Sequence, residues 1–129
     1  WRNITGASTS ELRYHLYYNA FKNSRSTFMR ERGNRNGFEA EVLSARGEND
    51  WGWTEVTKIE LAGDADAPPV NLTAGRRYIA PDDGNADDRT VIEIPLDRPL
   101  GPGETIDIEI LWISKVPRRQ MKRFEGMKS

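Results

Sequence analysis

Apolar and polar residues alternate most regularly in the second half of the chain. In Glu104–Ile113 (ETIDIEILWI), Ile106, Ile108, Ile110 and Trp112 fall on one face. Thr105, Asp107 and Glu109 fall on the other, and Leu111 breaks the pattern. An extended backbone points successive side chains to opposite sides, so this segment predicts a half-buried β-strand. Arg89–Leu96 (RTVIEIPL) alternates likewise, with Ile92, Ile94 and Leu96 together. The join Asp97–Gly103 is dense in Pro and Gly and predicts a turn. Together the two segments predict an antiparallel hairpin with a long loop.

Trp51–Leu61 (WGWTEVTKIEL) predicts another strand, with Trp51, Trp53, Thr57, Ile59 and Leu61 on one face. Arg76–Ala80 predicts a short strand halted by Pro81. Near the start, Leu12, Tyr14, Leu16 and Tyr18 line one face of a strand, and Arg13, His15 and Tyr17 line the other. In Phe38–Arg46, Phe38, Val42 and Ala45 recur at helical spacing among good helix formers. A short helix is predicted there, with a strand as the alternative. Asn19–Asn36 is rich in Arg, Asn and Ser and predicts a long connection. The pattern amounts to about five or six strands and one short helix. That is a mainly β fold, an antiparallel sandwich or open saddle. It forms one domain over residues 1–117, followed by a basic tail, or the stub of a continuing chain, over 118–129. The basic character starts at Lys115 and continues through Arg118, Arg119, Lys122, Arg123 and Lys128.

Composition narrows the chemistry. The 129 residues suit a single domain. With 19 basic and 20 acidic residues the net charge is −1, which gives no overall attraction to nucleic acid. The absence of Cys excludes disulfides, thiolate metal sites and cysteine nucleophiles, and it assigns no compartment. One His cannot supply a two-His zinc motif. No apolar run approaches the ~20 residues needed to span a bilayer. The opening Trp1-Arg2-Asn3 shows no secretory leader and no initiator Met, so a fragment or a processed form is expected.

Candidate sites are few. Asp82, Asp83, Asn85, Asp87 and Asp88 offer hard oxygen ligands in one loop, a calcium pattern. The same residue types also satisfy turn backbones, and an EF-hand register fails because Gly84 and Ala86 stand at ligand positions. Trp51 and Trp53 on one face could form an aromatic platform for a sugar ring, or belong to the core that Ile59 and Leu61 continue. His15 has no recognisable nucleophile motif to serve. Asn3-Ile4-Thr5 and Asn71-Leu72-Thr73 match the N-glycosylation triplet. No catalytic, metal-ligating or substrate-binding residue is assigned.

Four strings, taken in order, point further. They are ELRYHLYYNAFKNSRSTFMR from Glu11, WGWTEV from Trp51, YIAPDDGNADDRTVIEIP from Tyr78 and LGPGETIDIEILWISKV from Leu100. The ordered set resembles the N-terminal β-domain of bacterial zinc metallopeptidases related to aminopeptidase N, and it covers roughly Trp1 to Pro117. The resemblance implies a non-catalytic domain that packs on and caps a zinc-bearing catalytic domain. It implies a parent aminopeptidase, a hydrolase that holds the zinc. The parent's H-E-x-x-H, its downstream Glu ligand, its G-x-M-E-N loop and its transition-state Tyr are not in this sequence, so none transfers. The family domain starts before the equivalent of Trp1, which implies truncation on the N-terminal side. Missing partner strands would leave sheet edges that self-associate. An extracytoplasmic parent is compatible with the resemblance. An independent β-sandwich module binding carbohydrate or protein is the alternative.

Overall fold

The fold is mainly β, with two three-stranded antiparallel sheets and two short helices, described for residues 1–35 and 37–118 of a computed structural model. In chain order the elements are β1 (Thr9–His15), α1 (Thr27–Arg35), α2 (Gly37–Ser44), β2 (Trp53–Leu61), β3 (Val70–Asn71), β4 (Arg77–Ile79), β5 (Val91–Leu100) and β6 (Ile108–Lys115). One sheet has the order β1-β5-β4 and the other β3-β2-β6. The six strands match the number expected from alternation, and the helix expected at Phe38–Arg46 forms as α2.

The expected hairpin does not form. β5 pairs with β1 and β4, and β6 pairs with β2, so the two segments lie in different sheets. The Pro-Gly segment is the crossing between them. Gly101-Pro102-Gly103-Glu104 makes a tight turn, with the Glu104 N–H donating to Gly101 O at 3.2 Å and Gly103 at φ +78°. That φ is available to Gly without steric cost. The amino-terminal residues then hold the crossing in place. Gly103 N–H donates to Asn3 O at 2.7 Å, Asn3 N–H to Glu104 O at 2.9 Å, and Ile106 N–H to Trp1 O at 2.8 Å. β5 also runs past Leu96 to Leu100. The register slips between Glu11–Pro95 and Thr9–Leu100, and this irregular stretch accommodates two prolines that cannot donate to a ladder.

Two sheets share one core of Leu16, Val56, Ile59, Leu72, Ile92 and Ile94. The inward face of β2 departs from strict alternation. Val56 opposes Trp112 and Lys58 opposes Leu111, so Thr57 is an extra, bulged residue. Thr54 and Val56 face inward before it, Ile59 after it, and Trp53 falls on the opposite side from Val56. The single face expected for Trp53, Thr57 and Ile59 is therefore split, and Thr57 is exposed.

The first strand ends at His15 rather than Tyr18. Leu16 N–H bonds Thr90 O, and Tyr17–Phe21 turns into a 3-10 segment. Asn19, 1% exposed, explains the turn. Its Nδ2 donates to Arg89 O at 2.7 Å and its Oδ1 accepts from Thr54 N–H at 2.8 Å. One side chain thus pins the strand β2 to the segment entering β5.

The region expected as a connection, Asn19–Asn36, contains α1. Ser26 caps it, its Oγ accepting from the Met29 N–H at 3.3 Å. Met29 and Leu43 are buried, one from each helix, and the Phe21 and Phe28 rings meet edge-on at 5.3 Å. Residues 115–118 are not a loose tail. Lys115 closes β6 and donates to Glu48 O at 3.1 Å, and Arg118 N–H donates to Asp50 O at 3.1 Å. The rest of the expected tail, from residue 119, lies outside the described residues.

Candidate functional site

The two sheets do not close on each other along their whole length. Between them opens a mostly apolar cleft of about 480 Å³. Tyr14 and Leu16 line it from the first sheet's side, and Val56, Ile110 and Trp112 from the second. Cross-strand register brings these groups together, since Tyr14 opposes Ile92 and Val56 opposes Trp112. Burial pushes the Tyr14 hydroxyl pKa above its usual value by disfavouring the phenolate. At the mouth, the His15 and Tyr17 rings stack at 4.3 Å, and Trp112 remains 63% exposed.

β6 is the unusual strand here. Leu111 and Ile113 point away from the cleft and Trp112 into it, yet all three are exposed, as is Val116. A strand apolar on both faces is normally covered on both. Alternation alone marked Leu111 as an exception and did not show that the whole end of β6 is uncovered.

The outer face of the first sheet is polar and closed. Glu93, near the start of the central strand β5, opposes Arg13 of β1 and Arg77 of β4. Its Oε2 accepts from Arg13 Nε at 3.0 Å, and its Oε1 accepts from Arg77 Nε at 2.8 Å and from Arg77 Nη2. The Glu93 side chain is only 6% exposed beneath the two guanidinium groups. The Arg77 hydrogen bonds, with help from Arg13, hold its carboxyl below the ordinary glutamate range despite burial.

The acidic loop has a use within the fold. Asp83 accepts from Thr27 Oγ1 at 2.5 Å and from the Asn85 N–H at 3.0 Å. Asn85 donates to Arg25 O at 3.0 Å, and Asp87 pairs with Arg30 at 3.3 Å and Arg25 at 3.6 Å. Asp88 accepts from Thr90 Oγ1 at 3.1 Å, and Asp82 is exposed. These contacts fasten the loop to the start of α1. Among the described residues no group of three or more His, Asp or Glu is placed to hold a metal ion.

The two tryptophans are not brought together. Trp51 precedes β2 and sits under Arg46, whose guanidinium carbon lies 4.7 Å from the ring centre. Trp53 lines a different cleft, beside Tyr78. Gly52 between them has no room for a side chain, since a Cβ there would stand 2.3 Å from Pro117 Cδ. Of the two glycosylation triplets, Asn3 is buried with its Nδ2 donating to Ala7 O and Leu100 O, whereas Asn71 is exposed. No helix among the described residues is long and apolar enough to cross a membrane. No family model, curated protein or solved structure matches the chain.

Proposed function

We propose that this chain is a non-catalytic β-domain of an aminopeptidase N-like zinc metallopeptidase, packing on and capping the catalytic domain. The observation that carries the reading is β6, apolar on both faces and uncovered from Leu111 to Ile113. A strand of that kind is a docking element, and the cleft beside it extends the same apolar surface. The ordered strings from Glu11 to Val116, which resemble that family's N-terminal domain, support the choice of parent. In such a parent the zinc and its water-activating chemistry belong to the other domain. In the isolated chain the free side of β6 drives self-association, because its apolar groups and unpaired backbone groups seek a second surface.

A carbohydrate-binding module is the weaker reading, because Trp51 and Trp53 line different clefts and offer no joint platform. The gene downstream of Ser129 tests the proposal. An H-E-x-x-H followed by a distant Glu supports it, and a catalytic domain of another class overturns it. The purified chain is also expected to leave aminoacyl reporter substrates intact in the presence of zinc. Zinc-dependent hydrolysis would sink the non-catalytic role.

A further inference from the structure

A second cleft, of about 490 Å³, opens between the start of β2 and the strand β4. Lys22, Arg76, Arg77 and Arg89 line it, against one carboxylate, Glu55. The whole chain is almost neutral, at net charge −1, so this concentration of one sign is local. Trp53 and Tyr78 supply flat apolar walls.

The cations are not neutralised alike. Arg77 is held by Glu93. Lys22, Arg76 and Arg89 have no carboxylate within ion-pair distance among the described residues. Two of these three are nonetheless held in position. Arg76 Nη1 donates to Thr73 O at 2.7 Å, and the Arg89 guanidinium lies over the Tyr78 ring at 5.2 Å. Stacking occupies the flat face of a guanidinium and leaves its edge N–H groups for an acceptor in the plane. A cleft of this volume is within the range of small-molecule sites.

We propose that this cleft binds a phosphate monoester. Such a group carries a charge of about −1.5 to −2 at neutral pH and three strong acceptor oxygens. Those oxygens suit two guanidinium forks and an ammonium that line one cleft from separate segments of the chain. The cleft adjoins the apolar one, with Thr54 and Ile92 lining both, but its cations lie away from β6, and the proposal stands or falls independently of the docking role given to that strand.

Titration of the full chain with glycerol phosphate, inorganic phosphate and succinate at low salt tests the site, with calorimetry and tryptophan fluorescence as readouts. Glycerol phosphate is expected to bind, more tightly than succinate, and to weaken as salt rises. Phosphatidylcholine vesicles with and without a phosphoinositide distinguish a lipid-borne phosphate from a soluble one. Arg76→Gln combined with Arg89→Gln is expected to lower affinity about tenfold or more, which corresponds to about 1.4 kcal/mol. Lys22→Gln, a milder change, keeps the test open if the double variant unfolds, and is expected to weaken binding several-fold. Lys58→Ala, which removes a cation paired with Glu60 and Glu109 elsewhere on β2, is expected to change nothing. Absence of binding to every phosphate probe, tighter binding of succinate, or binding unaltered in both cleft variants overturns the proposal.

Discussion

The sheet β1-β5-β4 and the sheet β3-β2-β6 each set one long strand between two neighbours, but they finish their surfaces differently. In the first, β5 buries Ile92 and Ile94 inward and shields Glu93 outward under Arg13 and Arg77. In the second, β2 buries Val56 and Ile59, while its long partner β6 leaves Leu111, Trp112 and Ile113 in water. The first sheet satisfies its own chemistry within this chain. The second leaves apolar surface exposed along one strand. Pairing in a sheet satisfies the backbone, but it does not bury the faces, and a function can reside in that difference.

The sharpest way to break the contrast is to attack the closed sheet at its centre. Ile94→Ala, at a fully buried β5 position, is expected to cost about 2–5 kcal/mol through lost contacts and the cavity left behind. Leu111→Ala on β6, 48% exposed, is expected to stay within about 1 kcal/mol by partial-burial scaling. Urea unfolding of the two variants measures both, and equal losses would erase the distinction.

Next in size is the link between the sheets. Asn19→Ala leaves the part-buried Thr54 N–H and Arg89 carbonyl without their partner. A loss of about 1–3 kcal/mol is expected for each group left unsatisfied. Hydrogen exchange at Thr54 should accelerate before that at Ile94, since the pin serves the start of β2.

Glu93 gives the first sheet a pH signature. Its folded pKa lies below the ordinary value of 4.5 because Arg77 and Arg13 favour the carboxylate. A carboxyl with a depressed folded pKa adds stability that is present above 4.5 and is lost as pH falls through the folded value. Asp83, whose carboxyl is lowered chiefly by the Thr27 hydroxyl, acts in the same direction. Glu93→Gln should therefore flatten, without abolishing, the acid-side decline in melting temperature. An unchanged slope would show that the pairs with the two exposed arginines are screened.

The smallest effect on stability and the clearest on association should come from the open sheet. Trp112→Ser is expected to change stability by less than about 0.5 kcal/mol, as exposed substitutions do. Sedimentation velocity should nonetheless show less self-association than the parent chain. A chain that is monomeric at every concentration tested, with or without the change, would remove the docking role assigned to β6.

Particular residues show where the sequence was legible. Alternation located β2 and β5 because each buries one face, and period two records that burial directly, while in β6 the same alternation runs along a strand whose end is exposed on both faces. It failed at Thr57, where one bulged residue moves Trp53 off the Ile59 face. It also passed over α1, because a Ser26 cap amid Arg, Asn and Ser looks like a connection until Met29 is seen buried. The acidic loop read as a cation pattern, and its partners Thr27, Arg25 and Arg30 are far away in sequence. Lys22, Arg76 and Arg89 could not be seen as a group, since three separate segments deliver them to one cleft.

Local side-chain chemistry, then, was enough to determine a mainly β chain, its strand segments, the Pro-Gly turn and the absence of thiol or two-His metal chemistry. Strand partners were not within its reach. β5 and β6 are neighbours in sequence with compatible faces, and a hairpin is the cheapest closure in chain entropy. The fold takes the other route: residues 1–3 bind the crossing segment, β5 pairs with β1 and β4, and β6 pairs with β2, so that Ile92 and Ile94 meet Val56 and Ile59 across one core. Only that long-range choice leaves one strand uncovered and gathers four cations around a cleft.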